Sequence, residues 1–198
     1  MIFYLLAEGQ TEEYVASKLV PFCGHELSTV YGRKGVEYIK RKASLFRVLA
    51  TDNTGLLVLT DFRDADAACV PDALHEYLLK KLPIPPKTYL LRFAVNEIES
   101  WLMADREGIS EFLSVSKTKI PLNPENEQYP KRTLINIARL SRSKVVRNEF
   151  VPQPGHLSNV GPDYMNMLND FITNYWDIDN AMNHADSLKR CVHRLRSV

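Results

Sequence analysis

The chain reads as an α/β fold with a mostly parallel sheet, followed by a helical extension. Three observations predict this. Short strand-like runs, Ile2 to Ala7, Leu56 to Thr60 and Thr88 to Val95, alternate with segments of helical periodicity. The first two runs are almost wholly apolar rather than alternating, which marks strands buried on both faces, as parallel sheets require. After Asp105 the apolar positions recur only at helical spacing, with polar or Pro- and Gly-rich loops between. Residues 1–105 are therefore expected to form an α/β core. Residues 106–198 are expected to form helices packed on it as one structural unit.

Each element has its own signal. Ile2-Phe3-Tyr4-Leu5-Leu6-Ala7 is the first strand, and Thr11 with Glu12 and Glu13 opens a helix to about Phe22. Acids favour that positive end of a helix. Leu27 to Tyr31 is a weaker strand. Gly35 precedes a helix to about Ala50, with Val36, Ile39, Ala43, Phe46 and Leu49 on one stripe. Lys34, Lys40, Arg41, Lys42 and Arg47 lie off that stripe and read as a solvated face. Gly55 then leads into Leu56-Leu57-Val58-Leu59-Thr60. Pro71 suits the first turn of a helix that ends near Leu82, before Pro83, Pro85 and Pro86. Alternating strands and helices mean right-handed crossovers and a parallel sheet. Beyond Asp105, helices are expected around Leu134 to Ala138, from Pro162 to Tyr175, and through Ala185, Leu188, Val192 and Leu195.

Acids gather where strands end. Asp61, Asp64 and Asp66 follow the strand that ends at Thr60, and Glu8 follows the first strand. In an open α/β sheet the functional crevice lies at the carboxyl ends of the strands. Acids converging there repel one another unless a positive charge is shared, and hard oxygen ligands suit Mg²⁺ or Mn²⁺. Any one Asp alone has an ordinary reading as a helix cap. Glu8 has no such structural reason. The third strand exits into Asn96-Glu97-Ile98-Glu99-Ser100-Trp101-Leu102. Asn96 with Glu99 matches a capping box. Glu97 and Glu99, read in one helix, point different ways, and Ile98, Trp101 and Leu102 read as core.

Composition excludes several classes. The 198 residues are 45% hydrophobic and 25% charged with a net charge of +1, so an ordinary core is available and no global field marks a partner. Cys23, Cys69 and Cys191 form no CxxC pair, which fits a reduced, cytoplasmic protein without a disulfide frame or zinc site. No apolar run reaches the roughly 18 residues of a membrane helix, and no signal-peptide pattern opens the chain. Residues 1–105 carry 14 acids and 12 bases, residues 106–198 carry 10 acids and 13 bases. Lys131, Arg132, Arg139, Arg142, Lys144 and Arg147 fall in one stretch without an acid. A phosphodiester substrate needs such a pairing, metal at the reacting phosphate and Lys or Arg at its neighbours. The same six bases also fit a solvated helix face.

Glu8-Gly9-Gln10-Thr11-Glu12 resembles the EGxTE pattern of Toprim domains in nucleases of the overcoming-lysogenization-defect type. The Asp cluster after Thr60 resembles the Toprim DxD. NEIESWLMAD (Asn96 to Asp105) and GPDY…FI…W…SLKR (Gly161 to Arg190) are similar to a bacterial family of unknown function, domain-of-unknown-function family 4276. The resemblance covers most of the chain. It implies a Toprim-like three-layer α/β fold and a Mg²⁺-dependent nuclease, in an anti-phage setting and often beside an ATPase partner. One departure stands out. Toprim domains carry Asp-x-Asp at the strand end, whereas here Asp61 is followed by Arg63, and Asp64-Ala65-Asp66 comes later. Either Asp61 and Asp64 hold the metal, or a second metal position is degenerate.

The expected function is thus a metal-dependent phosphodiesterase acting on DNA or RNA. Glu8 serves as general base or metal ligand, and Asp61 with Asp64 or Asp66 holds Mg²⁺ or Mn²⁺. Glu97 or Glu99 completes the acidic shell. Lys131 and Arg132 neutralise phosphate, and Arg139, Arg142, Lys144 and Arg147 bind nucleic acid. The alternative is a catalytically silent module that binds a nucleic acid or an ATPase through the same fold, since a fold does not imply its chemistry. A haloacid-dehalogenase-like phosphatase is disfavoured, because the first strand lacks a DxDxT pattern.

Overall fold

A computed structural model of the chain describes residues 1–64, 72–73, 86–155 and 157–198. The expected helix from Pro71 to Leu82 lies outside them, apart from Asp72 and Ala73, which are helical. The described chain divides into two compact units, residues 1–95 with 189–198, and residues 96–188.

The first unit is built on four parallel strands, β1 (Ile2–Ala7), β2 (Glu26–Gly32), β3 (Thr54–Asp61) and β4 (Tyr89–Ala94), in the order β2-β1-β3-β4. The α/β class and the parallel sheet are those the sequence predicts. Helix α1 (Gln10–Phe22) joins β1 to β2, and α2 (Val36–Phe46) joins β2 to β3. The chain moves from β1 to one side and then returns past it, so right-handed crossovers put α1 and α2 on opposite faces. That makes three layers. Leu6, Leu56, Val58, Tyr89, Leu91 and Phe93 pack with Ile39 and Ala43 of α2. Phe3, Leu5, Leu57 and Leu59 alternate with them along the strands and are likewise fully buried.

Register explains Gly55. It pairs with Phe3 across β1 and β3, and paired residues of parallel strands share a face. A Cβ on Gly55 would lie 2.3 Å from the Phe3 ring. Glycine at the head of β3 is the space into which Phe3 folds. β2 reads weakly in sequence because it lies at the edge. Most of its residues are exposed or half-buried, and between Leu27 and Val30 it takes one extra residue against β1, a bulge. The last residues of the chain belong to this unit. His25 Nε2 lies 2.8 Å from the Leu195 carbonyl, and Arg194 Nη2 donates to the Lys87 carbonyl at 3.1 Å. Cys191 is fully buried, and burial pushes its thiol up to about 12.

The second unit is helical: α3 (Glu99–Ala104), α4 (Arg106–Phe112), α5 (Pro130–Ala138), α6 (Tyr164–Asp170), α7 (Ile178–Ala181) and the start of α8 (Asp186–Leu195). Every residue of α3 is buried, so Trp101 and Leu102 are core, as is Ile98 before them. The Trp101 indole donates to Ser187 Oγ at 2.7 Å, and the Trp176 indole donates to the Trp101 carbonyl at 3.2 Å. Asp105 is a buried carboxylate saturated by donors from three places: the Gly108 N–H at 3.1 Å, which caps α4, the Asp177 N–H at 2.9 Å and the Asn180 amide at 2.7 Å. The helix expected from Pro162 to Tyr175 starts at Tyr164 and passes into a π-helical turn at Phe171–Tyr175. No helix among the described residues is long and apolar enough to cross a membrane.

Two measurements check this packing. Gly55→Ala should lower stability by about 1–3 kcal/mol in urea unfolding, the usual cost of overpacking a core. Combined with Phe3→Leu it should lose less than the sum of the two single changes, because the two share one space. Native protein treated with a thiol reagent at pH 8 should leave the Cys191 peptide unmodified until denaturant is added, because thiolate is the reactive form. Labelling of folded protein at Cys191 would contradict its placement.

Candidate functional site

The chain reverses direction in the sheet between β1 and β3. Where strand order reverses, the two crossover helices leave on opposite faces and open a crevice at the carboxyl end. Glu8 and Asp61 stand at that end. The Glu8 N–H donates to the Leu59 carbonyl at 3.3 Å, carrying the ladder one residue past β1. On the other side, the Arg33 N–H donates to the Ala7 carbonyl at 2.8 Å and the Gly35 N–H to the Glu8 carbonyl at 3.1 Å. Gly32 allows this approach. Its φ is +97°, and a Cβ there would lie 2.2 Å from the Ala7 carbonyl oxygen.

The Glu8 carboxylate is aimed along the sheet. Its Oε2 accepts from the Thr60 hydroxyl at 2.5 Å and from the Asp61 N–H at 3.3 Å. Asp61 is the last residue of β3, half-buried, and a short 3₁₀ turn, Phe62–Asp64, follows it. The structure thus brings Glu8 and Asp61 together on neighbouring strands. The rest of the first motif has local work. Glu12 turns back to accept the Gly9 N–H at 2.9 Å, the reciprocal bond of a capping box, and Glu13 pairs with Arg33 Nε at 3.2 Å. The side chain of Asp64 and all of Asp66 lie outside the described residues. Among the described residues, no group of three or more His, Cys, Asp or Glu is placed to hold a metal. Mg²⁺ is commonly held by one or two carboxylates, with water and substrate phosphate completing the shell. The Glu8 carboxylate can serve as one such donor, and it is fixed, as ligating carboxylates normally are, by hydrogen bonds from the Thr60 hydroxyl and the Asp61 N–H.

Glu97, Glu99 and Lys131 belong to the second unit, and there they converge. The Lys131 N–H donates to Glu97 Oε2 at 2.8 Å, and Lys131 Nζ lies 3.2 Å from Glu99 Oε1. The Tyr164 hydroxyl donates to the same Glu99 oxygen at 3.0 Å. Glu99 Oε2 is buried and has no hydrogen-bond partner among the described residues. Two expectations are corrected here. Glu97 precedes α3 instead of lying within it, so it and Glu99 reach one lysine rather than diverging. The capping box at Asn96 does not form. Asn96 takes a left-handed φ of 62°, and its amide donates to the carbonyls of Glu125 and Glu127 at 3.2 and 2.7 Å. That bond ties the loop before α5 to the entry of α3. Glu99 is freed from the cap and turned inward.

The basic stretch does not form one helix face. Lys131 and Arg132 open α5, whose buried side is Leu134, Ile135, Ile137 and Ala138. The helix ends there. Arg139 follows it and donates to Asn136 Oδ1 at 2.7 Å, Arg142 lies in the next turn with its N–H on the Ser114 carbonyl, and Arg147 donates to the Ser141 carbonyl from a π-helical turn, Val146–Phe150. Arg132, Arg139, Arg142, Lys144 and Arg147 are all exposed. Two site partners escape a reading of sequence. Thr60 is the one hydroxyl in an otherwise apolar run, a signal in hindsight for a buried acceptor nearby. Tyr164 reads as a core aromatic, and its contact with Glu99 spans 65 positions.

Breaking the inner ion pair tests its weight. Glu99 is fully buried while the Lys131 side chain is 43% exposed. Lys131→Met should cost about 3 kcal/mol, the low end for a broken buried pair, since its ammonium is already partly in water. Adding Glu99→Gln should return much of that loss in a double-mutant cycle by urea unfolding. A single-variant loss within about 0.5 kcal/mol would mark the pair as incidental.

Comparison of the chain with protein-family models finds no match, and searches of curated proteins and of solved structures find none either.

Proposed function

We propose that this protein is a metal-dependent phosphodiesterase of Toprim type that cleaves nucleic acid. One observation carries the reading: Glu8 and Asp61 stand at the exits of adjacent parallel strands at the point where the sheet order reverses, and the Asp61 N–H donates to the Glu8 carboxylate at 3.3 Å. In α/β sheets that position is where ligands bind. The resemblance of the Glu8 to Glu12 motif to the EGxTE pattern of Toprim nucleases supports the same reading.

Glu8 and Asp61 would hold Mg²⁺ or Mn²⁺, which when bound supplies charge to a phosphoryl oxygen and lowers the pKa of an attacking water. The Thr60 hydroxyl and the Asp61 N–H fix the orientation of the Glu8 carboxylate. Asp61 ends the neighbouring strand β3 and is half-buried. The exposed arginines and lysine, Arg132, Arg139, Arg142, Lys144 and Arg147, are the phosphate contacts in this reading, positioning the substrate without reading its sequence. An ATPase partner in phage defence is the cellular setting we propose, on the resemblance alone.

Metal binding and cleavage test the reading together. Wild-type melting should rise with millimolar Mn²⁺, by about 2.7 kcal/mol of stability if metal stands at a hundred times its Kd. Glu8→Gln and Asp61→Asn should lose that response and reduce cleavage of single- or double-stranded DNA or RNA by about 100-fold or more. Thr60→Val should weaken the metal response while keeping the fold. A wild type whose melting ignores metal, with Glu8→Gln melting lower, would instead make Glu8 a structural tie between β1 and β3 and favour the silent binding module.

A further inference from the structure

A groove in the first unit, of about 410 Å³, lies between α2 and the edge strand β2. It is lined by Tyr31, Tyr38, Lys42, Leu45, Phe46, Val48 and Leu49. Its size falls within the range of ligand pockets. The lining is unusual for a surface helix. Leu45 is 59% exposed and Val48 80% exposed, so neither serves the core. Three aromatic rings stand beside them. Tyr31 packs against Phe46 with centroids 4.8 Å apart, and Lys34 sits over the Tyr38 ring at 5.3 Å.

Charge says what would cover this surface. Lys42 lines the groove, Lys34 stacks on its aromatic wall, and Arg41 lies one helical turn before Leu45. From Arg33 to Arg47 there are six bases and one acid, Glu37, and Glu37 pairs with Lys40 at 3.2 Å. A solvated face would have basic residues without the exposed leucine and valine. A protein-docking face would have apolar residues without the excess of one sign. Aromatic faces set in a basic rim are what unpaired nucleotides use: bases stack on the rings, and Lys and Arg follow the phosphates. A base locked in a duplex cannot present its face to such a groove.

We propose that the groove between α2 and β2 binds single-stranded nucleic acid, with a base held among Tyr38, Phe46 and Leu45 and the flanking phosphates on Lys34, Arg41 and Lys42. The proposal rests on the phosphodiesterase reading for its substrate class, and names where on the first unit that substrate is gripped.

The test measures binding with EDTA present, so that catalysis does not enter. A fluorescein-labelled thymidine 12-mer and an abasic 12-mer of equal charge are titrated by anisotropy. Wild type should bind the thymidine strand about tenfold more tightly, the loss expected when one stacked base is removed. Leu45→Glu and Lys42→Glu alter exposed or rim positions and should keep the wild-type melting midpoint. Each should weaken thymidine-strand binding about tenfold, and Lys42→Glu should also flatten the salt dependence by about 0.7 in the log–log slope. Equal affinity for the two strands, or variants that bind like wild type, would overturn the proposal. So would wild-type self-association that Leu45→Glu abolishes, without oligonucleotide binding, which would make the groove an interface between copies. Binding in EDTA without cleavage in Mn²⁺ would sustain the groove and refute the catalytic reading. Cleavage with unaltered binding in both variants would do the reverse.

Discussion

Two strands buried on both faces, β1 and β3, lie side by side at the centre of the first unit and leave no room for a charged side chain until they end. The first polar groups past that core must then satisfy one another. Glu8 does so by crossing to the neighbouring strand, taking the Thr60 hydroxyl and the Asp61 N–H. Its backbone meanwhile bonds to Leu59 and to the turn at Gly35. Three chain segments therefore meet at one residue at the strand exits. A carboxylate fixed in this way loses little freedom on gaining a ligand, which is what a metal-ligating carboxylate needs.

The second unit solves a different problem. Glu99 lies in a helix whose every residue is buried, where an isolated carboxylate is costly. Lys131 supplies the charge and Tyr164 a hydroxyl, both on one oxygen. Such pairs contribute little net stability against an apolar alternative, but removing one member is expensive, so they enforce a single arrangement of the segments that bring them. Here those segments are α3, α5 and α6. Asn96 adds a second tie by holding the backbone at Glu125 and Glu127, and Glu125 in turn accepts the N–H groups of Asp186 and Ser187 at the head of α8.

The edge of the sheet shows how exposure and binding are linked. Among the described residues β2 has a partner strand on one side only, carries a bulge, and buries little of its own surface. Bulges and charged neighbours are common devices against edge-to-edge pairing. The same irregularity sets Tyr31 in register with Leu6, toward the α2 side, where it meets Phe46. The aromatic groove with its basic rim follows from that placement.

Apolar patterning by itself determined much of the first unit. The runs at Ile2 to Ala7 and Leu56 to Thr60 read as strands buried on both faces, and helical crossovers between them point to a parallel sheet. From that, Glu8 and Asp61 were legible as strand-exit acids at one end of the sheet, and they come near one another because the strand order makes β1 and β3 neighbours. Local spacing was a poor guide elsewhere. The Asn96–Glu99 pair matches a capping box, yet the left-handed turn at Asn96 and the loop it grips decided otherwise. Six bases in a stretch look like one face, but the chain turns after Ala138 and spreads them over separate turns. Lys131 meets Glu97 and Glu99, and Tyr164 meets Glu99, through contacts more than thirty positions apart in sequence. Periodicity reports which side of an element is buried. Which buried charge meets which partner depends on how elements far apart in the chain come together, and only the tertiary structure decides that.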